Sequence, residues 1–246
     1  MIKLKYIVQQ FVFIALPIAL VYAVYSKYYI VAGILFVILS LLIWGIFDIR
    51  VSLLAKVINR LKTSEKQVVL TFDDGPNAYT PQILAILKSA NVKAVFFIIG
   101  KNAEKHPEIV KQIVEDGHTI GIHTQRHAVN FPFYGSKKVE KELKDCQQIL
   151  ESITSRKIIL FRPPFGIINP VIAKVARQMG LTIVGWGIRS LDTKAKDADK
   201  LLHKISGRLS NGSIILLHDI EITTGMLPKL ISEIQKTGFV ITNDIC

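Results

Sequence analysis

Two adjacent carboxylates, Asp73 and Asp74, stand before a Gly75-Pro76 turn, and two histidines four positions apart, His123 and His127, follow further along the chain. Two imidazoles and one carboxylate from another segment make three ligands for a borderline divalent cation such as zinc, with positions left open for water and substrate. Asp74 is one candidate for that carboxylate. If the segment is extended, Asp73 faces the other way and is free to act as a base toward a bound water. The same donor set can also form the facial triad of a non-haem iron oxygenase. A histidine pair at this spacing is a weak signal by itself, and the acidic pair with its turn is what strengthens it.

Such residues need a scaffold that gathers them. From Lys66 onward, short β-rich runs alternate with helical patterns, the signature of βα units around a parallel sheet. The spacing predicts strands over 68–72, 94–99, 119–123, 158–161, 182–186, 213–217 and 239–242. It predicts helices over 81–89, 107–115, 136–152, 170–179, 198–209 and 226–236. Pro81, Pro107 and Pro170 suit first helical turns, and Gly117, Gly180 and Gly238 suit helix stops. Seven strands with six helices make a small, incomplete barrel, since a full eight-unit barrel takes about 250 residues. An open doubly wound sheet fits the same pattern. In either case Asp73, Asp74, His123, Arg162, His218 and Asp219 gather at the carboxyl ends of strands, with Asp192 just beyond one. Parallel α/β folds place their sites on that face.

Four segments in order, Thr71-Phe72-Asp73-Asp74-Gly75-Pro76, His123-Thr124-Gln125-Arg126-His127, Arg162-Pro163-Pro164-Phe165-Gly166 and Leu216-Leu217-His218-Asp219, resemble the motifs of polysaccharide deacetylases. These are the family-four carbohydrate esterases with a NodB-homology domain, and the resemblance runs from about Gln67 to the end. It implies a distorted (β/α) barrel of about seven parallel strands that removes acetyl groups from N-acetylated sugars with one divalent metal. Zinc is the first choice, with cobalt, manganese, nickel or iron as alternatives. By the same resemblance Asp74, His123 and His127 hold the metal, Asp73 is the base, Arg162 pairs with Asp73, and His218 is the acid tuned by Asp192. Pro164, Phe165, Gly166 and Leu216 contact substrate, the Phe165 N–H helping to hold the oxyanion. Two departures stand out in the family's fourth motif: Arg189 replaces its first Asp, and Thr193 follows Asp192 where a Trp is usual. Thr193 removes an aromatic wall of the sugar groove, for which Trp186 is a candidate substitute. Phe165 stands where Tyr is commoner. A catalytically silent glycan-binding module is the alternative from another functional class.

The first fifty residues lie outside the resemblance. Uncharged apolar stretches over 6–25 and 28–47, separated by Ser26 and Lys27, predict two transmembrane helices in a hairpin. Tyr22, Tyr25, Tyr28, Tyr29 and Trp44 suit membrane interfaces. Residues 51–65, with Lys56, Arg60 and Lys62 among helically spaced apolar positions, predict a basic amphipathic linker helix on membrane lipid, and 66–246 the catalytic domain. Lys3 and Lys5 on one side, with Arg50 and the linker cations on the other, outweigh Lys27 in the turn. The positive-inside rule then predicts a multi-pass membrane protein with a cytoplasmic catalytic domain, and the family resemblance implies a bacterial inner membrane. A polyprenyl-phosphate-linked sugar is the substrate reachable from that side, and a polymeric N-acetylated glycan the one reachable from the other. The net charge of +12 is spread along the chain, and no nucleic-acid recognition motif accompanies it. Cys146 and Cys246 read as free thiols, which excludes a disulfide framework. His106, His118 and His203 read as structural, Phe96 and Phe97 as core, and Asp219 as either a cap or a participant.

Overall fold

The computed structural model describes residues 15–245. Nine strands form one parallel sheet: β1 (Val57–Ile58), β2 (Gln67–Asp73), β3 (Val95–Ile98), β4 (Thr119–Ile122), β5 (Leu160–Phe161), β6 (Thr182–Val184), β7 (Ile188–Arg189), β8 (Ser213–His218) and β9 (Val240–Ile241). Their order is β1-β6-β5-β4-β3-β2-β8-β7, with β9 also on β2. The helices are α1 (Ala15–Tyr25), α2 (Tyr29–Phe47), α3 (Thr80–Ser89), α4 (Gly100–Lys105), α5 (Pro107–Glu115), α6 (Ser136–Thr154), α7 (Pro170–Gln178), α8 (Ala198–Ser206) and α9 (Glu221–Lys236). All seven expected strands are present. β7 is an addition with a simple origin: β6 and β7 belong to one extended run that pairs first with β5 and β1 and then, beyond Gly185-Trp186-Gly187, with β8. That change of partner curls the sheet into a half-barrel, with no continuous ladder closing it.

Strand alternation divides the apolar residues into two cores. Along β2, Val68, Leu70 and Phe72 join the large core between sheet and helices, and Val69 joins the small barrel interior with Val95, Phe97, Leu160, Val184 and Ile214. Thr71 and Asp73 share the interior register of Val69, so a carboxylate arrives at the mouth of the barrel on the inner face. Helix punctuation follows the expected chemistry. Pro81, Pro107 and Pro170 sit in the first turns of α3, α5 and α7, and Gly117 and Gly180 take φ of 83° and 68° just beyond α5 and α7.

The linker helix expected over 51–65 does not form. A short 3-10 turn at Ile49–Val51 leads into β1, which pairs with β6, and Arg60 then bridges to Ser213 at the start of β8. The β-branched Val57 and Ile58 find an open strand edge, and the side chain of Asn59 donates to the carbonyls of Ile49 and Arg50. Sheet pairing thus overrides a weak helical period. Among the described residues one helix, α2, is long and apolar enough to cross a membrane, with mean hydropathy 2.6 over Tyr29–Ile46 and 11% of that stretch buried. The described part of the first expected span is the shorter α1, so a two-helix hairpin is not established; 6–14 lie outside the described residues, as does Cys246. The carboxyl end of α2 is tied to the domain, Ile168 donating its N–H to the Ile46 carbonyl at 3.1 Å.

Candidate active site

Asp74 follows β2 with φ of 74°, and this left-handed residue turns its carboxylate back toward the mouth of the barrel that Asp73 already faces. The side chain of Asn102 pins the turn by donating to the Asp74 carbonyl at 2.8 Å. His123 follows β4 directly. His127 returns to the same place through a tight loop in which Thr124 and His127 both have positive φ and the Thr124 hydroxyl accepts the His127 N–H. Backbone strain of this kind gathers at sites where side chains must be held in place.

Asp74 Oδ1 lies 3.4 Å from His123 Nε2 and 3.5 Å from His127 Nε2, and ligand atoms of the three residues all fall within 4.8 Å of one another. That oxygen is buried and has no hydrogen-bond partner. An orphaned carboxylate oxygen facing two imidazole nitrogens fits a divalent cation, whose bonds to such donors are about 2.0–2.2 Å. His123 Nδ1 lies 2.7 Å from the Arg162 carbonyl, which can only accept, so the ring's Nε2 lone pair is left for a ligand. Burial raises the proton affinity of Asp74, but the close approach of His123 and the positive field of His123, His127 and His218 outweigh it and hold its pKa at about 2. Burial, reinforced by His123, pushes the His127 pKa down, which favours the neutral ligand form.

Arg162 crosses the barrel interior and is fully buried. Its guanidinium donates to Asp73 Oδ1 at 2.8 Å, to the Thr71 hydroxyl at 2.7 Å, and to the carbonyls of Val184 and Gly185 at 3.2 and 2.6 Å, and it lies 4.1 Å above the Phe97 ring. Burial pushes the Arg162 pKa down while Asp73 opposes the shift. Phe97 is therefore core, as expected, yet it is the face on which this guanidinium rests. Across the mouth, His218 Nδ1 donates to Asp192 Oδ1 at 2.8 Å, and Asp192 Oδ2 accepts the His218 N–H and the Thr223 hydroxyl, each at 2.7 Å. Burial pushes the His218 pKa down, but the bond to Asp192 and the charges of Asp73, Asp192 and Asp74 carry it to about 9. The Asp192 pKa is correspondingly lowered against its burial.

These groups surround a cavity of about 220 Å³. Asp73, Asp74, His123, His127 and His218 line it, as do Phe165, Gly166 and Leu216 among the expected substrate contacts. Pro163 is among the lining residues and Pro164 is not, although both prolines are buried beside the turn at Pro164–Gly166, where Phe165 takes φ of 61°. The Phe165 ring stands edge-on to His127 at 4.8 Å. Trp186 lines the cavity beside Arg189, Leu191, Thr193 and Lys194. Asp219 neither caps a helix nor reaches the cavity; it is buried, hydrogen-bonded to the Thr80 hydroxyl, and burial pushes its pKa up to about 7. Its carbonyl accepts from Asn77, so it braces the loop behind Asp74. Thr71, Thr223 and Lys194 also belong to the site, and sequence reasoning assigns none of them a role. Thr71 was findable, because it lies two residues before Asp73 on the same strand face; Thr223 carries no local signal.

A curled parallel α/β half-barrel with an Asp-His-His donor set at the carboxyl ends of its strands is thus the class of protein described. A model of the family described as polysaccharide deacetylase matches residues 60–184, and the chain belongs to that family. A peptidoglycan-N-acetylglucosamine deacetylase of Bacillus cereus is 35% identical over 181 residues, which cover 71% of this chain and 66% of that relative. A chitooligosaccharide deacetylase of Azorhizobium caulinodans is 36% identical over 162 residues, covering 65% of this chain and 77% of the relative. The crystal structure of the Bc1960 peptidoglycan N-acetylglucosamine deacetylase aligns with TM-score 0.72 and 33% identity, covering 75% of this chain and 88% of that one. BA3943, a pseudoenzyme of the same esterase family from Bacillus anthracis, aligns with TM-score 0.72 and 28% identity, covering 76% of this chain and 66% of the other.

Proposed function

We propose that the chain is a metal-dependent hydrolase that removes the N-acetyl group from an N-acetylglucosamine-type glycan. The observation that carries this reading is the buried, unpartnered Asp74 Oδ1 facing His123 and His127, with a base held by Arg162 on one side and an acid held by Asp192 on the other. Asp74, His123 and His127 would hold one divalent ion, zinc foremost. Such an ion supplies carbonyl polarisation and a water of lowered pKa. Asp73 takes a proton from the attacking water as its oxygen bonds to the acetyl carbon. The Phe165 N–H donates to the oxyanion as it develops. His218, protonated through Asp192, gives its proton to the sugar nitrogen as the C–N bond breaks, leaving acetate and a free amine. Arg162 and Asp192 act as positioning residues through Asp73 and His218. Phe165, Gly166 and Leu216 contact the sugar.

Acetate release from N-acetylglucosamine oligomers by detergent-purified protein tests this, measured after chelation and again after each of zinc, cobalt, manganese, nickel and iron is restored. The reading requires loss and recovery; release that persists without metal, or none with any metal, refutes it. A catalytically silent glycan-binding module is the second reading, favoured by the likeness to a pseudoenzyme and by the departures at Arg189 and Thr193. Binding of the same oligomers without acetate release would establish it. An oxygenase has no use for two further buried Asp-cation pairs and is set aside.

We further propose that α2 anchors the domain to a membrane, with lipid around its exposed face. The names of the relatives favour a polymeric glycan and therefore a domain outside the cytoplasm. Lys56 and Arg60, which weighed toward the cytoplasm, belong to a folded sheet edge, Arg60 being bound to Ser210 and to the Asn211 carbonyl. A polyprenyl-phosphate-linked sugar remains the second substrate, supported by one observation: α2 ends beside Ile168, two residues past Gly166 at the cavity. A reporter fused after Cys246 decides the side, since activity only in the cytoplasm would exclude the polymer.

A further inference from the structure

Within the candidate site each acidic side chain already faces a basic group, and two cations face no acidic one. Asp73 is paired with Arg162, Asp192 with His218, and Asp74 faces the two histidines. Arg189 and Lys194 line the same cavity, and among the described residues neither has a carboxylate within ion-pair distance. Arg189 ends β7 in register with Leu216 of β8, another lining residue. Its guanidinium lies 5.6 Å from the centre of the Trp186 ring, and that indole packs so closely on Gly166 that a Cβ added there would collide with it. Arg189 is thus held over an aromatic surface at the wall of the cavity while its donors remain open to solvent. The acidic group that senses it from outside is Asp48, and Arg50 already occupies that carboxylate through bonds of 2.8 and 2.6 Å. Lys194 sits in the 3-10 turn Asp192–Lys194, which starts from the residue that holds His218.

A neutral N-acetylhexosamine gives these two cations nothing to pair with. A planar guanidinium beside an indole, with an ammonium on the same cavity wall, is suited to a carboxylate or a phosphate, which it can grip through two parallel hydrogen bonds. We propose that the substrate of this site is an N-acetylated sugar carrying an acidic group, gripped by Arg189 and assisted by Lys194. The inference deepens the deacetylase reading and rests on it for the position of the sugar. Arg189 is a specificity-determining residue here, and the replacement of the family's aspartate at this position exchanges a repulsive charge for an attractive one.

The test is calorimetric binding of three small sugars to the full-length protein in detergent: N-acetylglucosamine, which is neutral, N-acetylmuramic acid, which adds a carboxylate, and N-acetylglucosamine 1-phosphate. At least one acidic sugar is expected to bind about ten- to a hundredfold more tightly than the neutral one, the range of a charge-assisted hydrogen-bonded pair. Which acid wins separates a carboxylate-bearing glycan from a phosphate-linked one. Arg189→Gln should bring the ratio of acidic to neutral affinity close to one, and Lys194→Gln, at an exposed position, should lower it in part. Equal affinities for all three sugars, no binding of any acidic sugar, or a ratio unchanged in Arg189→Gln overturns the proposal. Binding needs no turnover, so an acid preference without acetate release would refute the deacetylase reading alone.

Discussion

Replacing Asp192 by Asn isolates the electrostatic contribution of one carboxylate to the proposed acid. The carboxylate lies 2.8 Å from His218 Nδ1 and is the foremost influence raising a pKa that burial alone would lower, the net result being about 9 against an ordinary 6.5. That difference corresponds to roughly 3 kcal/mol favouring the imidazolium. With a pKa of about 9, almost all of the His218 population is protonated at pH 7.5; at 6.5 only about a tenth is. Asn also presents no second anionic oxygen to the His218 N–H and the Thr223 hydroxyl, which now share Oδ2. The loss of protonated acid alone lowers acetate release about tenfold at pH 7.5, and poorer orientation adds to that. The assay is a pH–rate profile of the metal-loaded protein, wild type beside Asp192→Asn, with the His218 ring followed by NMR. The alkaline limb should move from near pH 9 to below about 7, and the variant should regain part of its rate at pH 6. An alkaline limb that stays in place would refute the assignment of His218 as the acid and of Asp192 as the group that sets it.

Arg162→Leu leaves Asp73 buried without its cation and removes four hydrogen bonds, so it should destabilise the domain by about 3–5 kcal/mol and abolish acetate release; urea unfolding of near-wild-type midpoint would contradict that. Burial lowers the His118 pKa to about 4, and its Nδ1 accepts the Ala94 N–H, so the folded state holds this ring neutral. The unfolded chain takes up the proton first as pH falls. The stability tied to neutral His118 is therefore complete above pH 6.5 and drains away toward pH 4, by at most about 3 kcal/mol. Urea midpoints at pH 7.5 and 4.5 check this, because His118→Gln should narrow the difference between them, and an identical pH dependence would exclude His118 as a contributor. Loading the site should raise the melting temperature in a concentration-dependent way, a shift that Asp74→Asn should suppress; equal shifts in both proteins would place the ion elsewhere.

Much of the scaffold was legible because its signals are local. Runs such as Val68 to Phe72 announce strands buried on both faces, and prolines and glycines bound the helices between them. The site residues were legible because chemistry-bearing types recur at strand ends, and the structure brings Asp73, Asp74, His123, His127 and His218 around one cavity. What sequence reasoning missed depends on partners distant in the chain. Val57 and Ile58 become a strand only because β6 offers an edge, and a two-residue strand has no period of its own. The change of partner at Gly185-Trp186-Gly187 is invisible until β8 lies beside β7. Pro163 and Pro164 are identical in type and both buried, and nothing local in the sequence marks the first, not the second, as the one at the cavity. The Asp192 shell includes Thr223 from α9, thirty-one residues away, which no motif spacing encodes.

The central claim, that Asp74, His123 and His127 hold the ion on which hydrolysis depends and that Asp73 is its base, is tested most directly by measuring bound metal and acetate release on the same preparations. Wild type, His127→Ala and Asp73→Asn are compared on N-acetylated oligomers, with an acidic N-acetylated sugar chain alongside. Wild type should bind one ion per chain and release acetate. His127→Ala should lose both, and Asp73→Asn should keep the ion while release falls by a factor of about a hundred or more. Undiminished release from Asp73→Asn, or full metal content in His127→Ala, would contradict the account.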